Sequence, residues 1–370
     1  FITSNKWMRA NYGKSIRKFF AEKTNPKLLI DFAGVKIFES ATVDTNILLF
    51  SKENNKHKVI SVVLNKQNKD SVKNLSVFVE QNYTICDFSA SDSWVVLSPI
   101  EESIKCKIKA AGTPLKDWNI QINYGIKTGY NEAFIISTEK REEILTNCQS
   151  AEEKQRTADL IRPILRGRDI KRYGYEWAGL WLINTHNGVK PNIRRVNIDD
   201  YPAVKDHLDK YWNKISKRAD KGDTPYNLRN CAYMEDFNRP KIIYPNMTKY
   251  MPFVYDTNHI ITNQKCFIIT GNNVEYLTAF FNSSLFKFCF RNSFPELQGG
   301  TRELSKIFFE KLPIKKVSFS SNEVFKEVLT SIQQDYIKSK AIEIDSMIFD
   351  LYNLNTKERN FIRRQVNCID

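Results

Sequence analysis

The stretch IRPILRGRDIKRYGYEW sets Arg162, Arg166, Arg168, Lys171 and Arg172 beside Tyr173, Tyr175 and Trp177. Cations interleaved with aromatic rings at this density suit a surface that tracks phosphates. Gly167 permits a tight backbone turn, and Asp169 is placed to cap a helix start and to face an arginine. The competing reading is an exposed turn whose arginines pair with acids, Asp159 and Asp169 among them. Spacing alone leaves both open.

Three other segments carry side chains of the right type. FPELQGGTRELSKIFFEKLPI sets Gln298, Thr301 and Arg302 around a Gly-Gly turn. Gln and Arg are side chains that pair bidentately with adenine and guanine edges, although the same residues fit a plain turn before a helix. IIYPNMTKYMPF places Asn246, Thr248, Lys249 and Tyr250 in a loop after a strand, and GIKTGYNEAF places Lys127, Thr128, Tyr130 and Asn131 in another. Each is a base- or phosphate-facing loop, or an ordinary turn.

Signals for catalysis are absent. The sequence has no H-E-x-x-H, no G-x-S-x-G and no Walker A loop. The adjacent pairs Asp199-Asp200 and Glu101-Glu102 cannot aim at one point, because neighbouring side chains diverge in strands and in helices. His186 in NTHNG reads as a turn residue. No complete active site is visible.

The bulk chemistry favours a polyanionic partner. Over 370 residues the formal net charge is +14, with 42% hydrophobic and 26% charged residues. A field of that sign attracts nucleic acid or an anionic membrane surface, and no basic amphipathic stretch with an apolar face points to a membrane. No apolar run reaches the roughly 18 residues of a membrane span, and no signal peptide is apparent. Cys86, Cys106, Cys148, Cys231, Cys266, Cys289 and Cys368 form no C-x-x-C pair, and with four His a zinc site is not expected. Scattered thiols of this kind fit a reduced, cytoplasmic protein.

The elements that must position these residues fall into three regions. Residues 1–111 alternate strand- and helix-like stretches in the order β-α-β-β. NYGKSIRKFFAEKT is the helix, with Ile16, Phe19 and Phe20 on one face; KLLIDFAG, VDTNILLFSKE and KHKVISVVLN are strands, and Ser103 to Ala111 is a connecting helix. Residues 112–315 read as a mixed α+β domain, with strands in INYGIKTGYNEAFII, LWLINTHNG, PKIIYPNM and NQKCFIIT. Residues 316–370 are a helical tail. There Ser320 and Glu323 form a capping box before a helix of about 30 residues, and Asn355 with Glu358 opens a last short one. The tail reads either as a hairpin on its own domain or as a pairing surface.

Two of these regions resemble a known family. FITSNKWMRANYGKSIRKFF followed by LIDFAGVKIFESATVDTNIL resembles the later motifs of DNA methyltransferases that modify adenine N6. GIKTGYNEAFII, IRPILRGRDIKRY and FPELQGGTRELSKIFFEKLPI resemble the TaqI-like C-terminal specificity domain, which recognises the DNA target in restriction-modification enzymes. IDSMIFDLYNLNTKERNFI resembles the helical tail common in that family.

The resemblance implies a partial methyltransferase α/β sheet of Rossmann-like type, a target recognition domain and a tail. It implies double-stranded DNA as partner and S-adenosylmethionine as cofactor of the parent enzyme, with a fused nuclease as a further candidate. The family's F-x-G-x-G loop and N-P-P-Y or N-P-P-F tetrapeptide do not occur here. By family order they belong just upstream of Phe1, so the chain is expected to be an inactive C-terminal fragment that still binds DNA. The family's flipped adenine is held between aromatic planes; the matching residue is Phe38 in KIFESA, whose competing reading is a core Phe at a strand end. Asn5, Lys6 and Trp7 fall in a loop near the family's catalytic face. The candidate DNA contacts are Lys127, Thr128, Tyr130, Arg166, Arg168, Lys171, Arg172, Asn246, Lys249, Gln298, Thr301 and Arg302. Two rival readings are the specificity subunit of a multi-subunit restriction system and an RNA-binding or RNA-modifying protein.

Overall fold

The computed structural model describes residues 1–33, 35–40, 43–64, 68–88, 93–295, 297 and 300–367. The chain divides into two compact units, Phe1–Cys106 and Lys107–Asp370. Among the described residues no helix is long and apolar enough to cross a membrane. The six described cysteines are free thiols; Cys368 lies outside the described residues.

The first unit is an α/β sheet. Its strands are β1 (Ile2–Ser4), β2 (Asn25–Asp31), β3 (Thr45–Ser51), β4 (Val59–Val63) and β5 (Thr84–Cys86), in the order β1-β3-β2-β4-β5. β3 runs antiparallel to both β1 and β2, while β2 and β4 are parallel. The apolar run of β2 follows from its cover on both sides. Leu29 joins Trp7, Met8, Leu48 and Trp94 on one face, and Ile30 joins Phe32, Val35 and Val62 on the other. Burying each such side chain contributes about 1.5–3 kcal/mol.

Helix α1 (Lys14–Lys23) crosses from β1 to β2 and buries the expected face only in part, through Phe20, which packs on Trp7 and Trp94. Ile16 and Phe19 are exposed, whereas Arg17 and Ala21 are buried. Arg17 donates from Nη1 to the carbonyls of Trp7 (2.6 Å) and Ala10 (2.9 Å). The Ala10 carbonyl also accepts from the Gly13 N–H at 3.0 Å, and a guanidinium has donors enough to bridge both turns. Gly13 is required there, because a Cβ would stand 1.9 Å from the Trp7 carbonyl oxygen.

The second unit holds two four-stranded sheets. One has the order 261–262, 161–165, 180–183, 135–137; the other is fully antiparallel, in the order 254–256, 241–245, 266–271, 120–124. All four strand stretches expected of this region are present. Ile164, Leu182, Ile243 and Ile268 lie in one core between the sheets and the helices around them. The helices Val274–Asn282 and Ser284–Phe290 add an aromatic cluster in which Phe253, Phe281, Phe286 and Phe309 meet at 5.0–6.5 Å.

The tail is helical but broken. Helices span Phe319–Gln334, Lys338–Leu351 and Thr356–Asn367, so the single 30-residue helix is interrupted at Asp335. Lys340 Nζ reaches back to the Ser331 carbonyl (3.0 Å), which also accepts from the Asp335 N–H (3.3 Å). The first cap is Ser318, which accepts from the Ser321 N–H at 3.2 Å; Ser320 and Glu323 lie inside the helix. The second cap has the expected form, with Asn355 N donating to Glu358 (2.7 Å) and Glu358 N to Asn355 Oδ1 (3.0 Å). The tail packs on its own unit. Gln333 bonds both backbone groups of Tyr255, Asn322 bonds Tyr276 N and Glu275, and Phe361 meets Phe288 edge-on.

Candidate nucleic-acid interface

The strand Ile161–Leu165 delivers its last residue into a turn, Gly167–Asp169, that the sequence specifies closely. Asp169 Oδ2 accepts from Arg166 N at 2.8 Å and Nε at 3.0 Å, and Oδ1 accepts from Arg166 Nη2 at 2.8 Å. Burial alone would raise the Asp169 carboxyl, but its Arg166 bonds and the Arg166 and Arg168 charges together hold it below the usual range. Gly167 lies against Pro245, where a Cβ would come to 3.2 Å. The chain then forms a two-residue hairpin, Ile170–Lys171 with Gly174–Tyr175. Tyr173 turns it at φ +64° with its ring buried, a backbone state that bulky side chains adopt only under tertiary constraint. That constraint includes Tyr173 N donating to the Phe253 carbonyl at 3.1 Å.

This turn is one wall of a cavity of about 830 Å³. Arg166, Arg168, Lys171 and Arg172 line it on one side; Asn246, Thr248, Tyr250, Asn263 and Lys265 line the other, and Lys287 reaches in from the helix Ser284–Phe290. The described lining therefore includes six cations and no carboxylate. The cations are not equivalent. Arg166 is held by Asp169, and Arg172 donates to the Asn282 carbonyl at 2.7 and 3.2 Å. Lys171 is exposed, 3.3 Å from the exposed Glu176, and Arg168 and Lys265 are exposed. Lys287 is buried.

The two loops read separately from the sequence are joined here. Met247–Thr248 pairs with Arg302–Glu303 as a short antiparallel ladder, with Thr248 opposite Arg302. Arg302 Nη1 donates to the Phe294 carbonyl at 3.1 Å, and Thr301 precedes it, half-buried. Lys249 is exposed, with its Nζ 5.8 Å from the Tyr250 ring centroid. Gln298 lies outside the described residues.

The third loop does not reach the cavity. Lys127 is paired with Asp220 at 2.8 Å, Thr128 is buried with its hydroxyl on Asn131, and Tyr130 donates to Glu132 at 2.6 Å. The buried Arg218 guanidinium, bonded to the Thr128, Asp220, Pro225 and Asn227 carbonyls, ties this loop to the 220–227 segment. Lys265 and Lys287 did not stand out in the sequence. Lys265 opens a strand after a turn and Lys287 sits in the apolar run FKFCF, so neither belongs to a local cluster of cations.

In the first unit Phe38 is 42% exposed, so it is not a core residue. Asn5 is buried and donates to Asp31 Oδ1 at 2.8 Å, while Arg9 holds Asp31 Oδ2 at 2.6 Å. Trp7 belongs to the core and Lys6 is exposed. Asn5 and Arg9 therefore fasten the end of β2, after which the segment carrying Phe38 begins.

Residues 162–314 match the TaqI-like C-terminal specificity domain, and residues 1–38 match the Eco57I restriction-modification methylase family. The cavity-lining residues all fall inside the first match, Lys127, Thr128 and Tyr130 precede it, and Phe38 closes the second. The type II methyltransferase M.BstVI of Geobacillus stearothermophilus is 20% identical over 395 residues, covering 98% of this chain and 65% of that protein. The type II methyltransferase M.PaeR7I of Pseudomonas aeruginosa is 18% identical over 384 residues, covering 97% and 62%. A solved structure of the type IIL restriction-modification enzyme MmeI in complex with DNA aligns with 100% of this chain and 49% of that one, at 10% identity and a TM-score of 0.45. The chain thus spans less than two thirds of either curated relative.

Proposed function

We propose that this chain, which carries a TaqI-like specificity domain and a restriction-modification methylase segment, reads a specific duplex DNA sequence for an adenine-N6 methyltransferase. The observation that carries the reading is the cavity of about 830 Å³ with six cations and no carboxylate among its described lining. Cations of such a site displace the counterions condensed on DNA phosphates, and their release gives sequence-independent affinity. Side chains on the 246–250 and 301–302 segments then lie beside the phosphate contacts, where base edges are read.

The proposed division of labour is by region. Residues 1–111 belong to the methyltransferase sheet, 112–315 recognise the target and 316–370 buttress the recognition domain. The α/β sheet of the first unit supports this over two tandem recognition domains. Phe38, exposed after the fastened end of β2, is proposed to stack on the flipped adenine. Lys127, Thr128 and Tyr130 are kept as outer contacts of the same domain. S-adenosylmethionine supplies the methyl group in such enzymes. The family's loop for that cofactor and its tetrapeptide for the adenine are not in these 370 residues, so no step of methyl transfer is assigned to them. The whole enzyme is proposed to act in the cytoplasm, with a nuclease domain as a candidate fusion partner.

Two measurements test the reading. Binding of this chain to duplex DNA should weaken linearly on a log–log plot against salt, with a slope of about −0.9 per phosphate neutralised. Sequencing the methylome of a host carrying the full-length gene should reveal N6-methyladenine at one motif. Salt-independent binding, or preference for RNA over duplex DNA, would overturn the recognition role; a methylome without that mark would overturn the enzymatic one.

A further inference from the structure

Tyr250 stands at the mouth of the basic cavity with 61% of its surface exposed. Its loop is rigid. Thr248 Oγ1 accepts from the Tyr250 N–H at 3.1 Å and the Met251 N–H at 3.3 Å. Met251 takes φ +52° and buries its side chain, which pins the loop from behind. Arg291 Nη1 donates to the Lys249 carbonyl at 2.8 Å, and Met247–Thr248 is laddered to Arg302–Glu303. A side chain on such a loop is held in place before any ligand arrives, so little ordering entropy is left to lose on binding.

An exposed tyrosine is by itself ordinary. Several other exposed aromatic residues of this unit, however, rest against rings: Tyr124 on Phe267 at 4.3 Å, Trp177 on Trp181 at 5.1 Å and Trp212 on Tyr226 at 5.3 Å; Phe319 is exposed without a ring partner among the described residues, but it does not line the cavity. Tyr250 meets no aromatic ring among the described residues; its described partner is the Lys249 cation. An exposed ring with no ring partner, beside a cationic cavity with no carboxylate among its described lining, is a combination that nucleic-acid surfaces use to stack bases while phosphates are held nearby.

We infer that Tyr250 is a stacking wedge, pressing its ring on a base at the recognition site while Arg168 and Lys265 hold the flanking phosphates. The inference rests on the proposed DNA-reading role and adds a base contact to it. A ring with two rotatable angles fits this task, because it supplies large contact area at low entropic cost. Insertion at a base step unstacks it locally, so the contact should report on that step.

The test uses the full-length enzyme and duplexes with 2-aminopurine placed in turn at each position of its site. Fluorescence is expected to rise at one step other than the methylated adenine, and Tyr250→Phe should keep that rise. Tyr250→Ala should abolish it and weaken binding about tenfold, with the thermal melting curve and the salt slope unchanged. If Tyr250→Ala keeps the rise and the affinity while binding stays salt-dependent, the wedge is wrong and DNA reading stands. If the wild type shows no salt-dependent duplex binding, both fall together.

Discussion

Arg166 and Asp169 close on each other through three hydrogen bonds, two from the guanidinium and one from the backbone N–H, all between 2.8 and 3.0 Å. The sequence offered two readings of this stretch, a phosphate surface or an arginine turn neutralised by acids. The acid-paired reading holds for Arg166; the phosphate reading is the proposal for Arg168 and Lys171. Arg166 is consumed in building the turn, and the turn presents Arg168 and Lys171 to solvent at the cavity.

Asp169 should therefore govern stability. Asp169→Ala removes three acceptor contacts and leaves a largely buried guanidinium without its acid, at a cost of about 3 kcal/mol. The folded carboxyl is held below its ordinary value, which is near 3.9 in an unfolded chain. A depressed carboxyl stabilises the fold above the unfolded value and loses that contribution as pH falls through the folded one. Thermal melts of wild type and Asp169→Ala should thus differ fully at pH 7 and converge as the pH is lowered past 4. A difference that persists undiminished into strong acid would show that packing and not charge is at work.

The cations should separate by role in a salt titration of DNA binding. Arg168→Ala and Lys265→Ala each remove an exposed cavity cation, and each should lower the magnitude of the salt slope by about 1, with weaker binding to all sequences alike. Lys127→Ala should change the slope less, because Lys127 is already paired with Asp220. An equal loss of slope at Lys127 would move the interface away from the cavity.

What the sequence revealed depended on how local the signal was. The strand stretches of both units are present because their apolar runs match the cover on their faces, and Asn355 with Glu358 caps a helix because both partners lie within four residues. On α1 the apolar count finds Phe20 but not Arg17, which is buried by carbonyls at positions 7 and 10. In the tail the apolar spacing continues through residues 335–337 and predicts one helix, while the backbone at Asp335 and Ile337 is extended. At the site, the Arg-rich turn was legible as a cluster. Its opposite wall was not, since Lys265 and Lys287 reach the cavity through strand and helix packing that brings distant sequence together.

The strand that ends at the Tyr250 loop begins on a buried ion pair. Lys241 Nζ bonds Asp256 Oδ2, with no exposure of either side chain, and also the Phe237 carbonyl at 2.8 Å. Asp256 further accepts from the Asn258 and Ile260 N–H groups at 3.1 and 3.0 Å. The pair thus clamps strand 241–245 to strand 254–256, the two that flank the Tyr250 loop. Burial pushes the Lys241 ammonium below its ordinary value, and Asp256 opposes that shift. Lys241→Met leaves a buried carboxylate with backbone donors alone, so the single change should cost about 3–5 kcal/mol. Lys241→Met with Asp256→Leu removes both charges and should recover much of that loss, because an apolar replacement of a buried pair is often neutral. Urea denaturation of the wild type, both single variants and the double variant measures the coupling. If the single changes cost under about 1 kcal/mol, or the double variant is worse than either by their sum, the clamp does not hold these strands as argued.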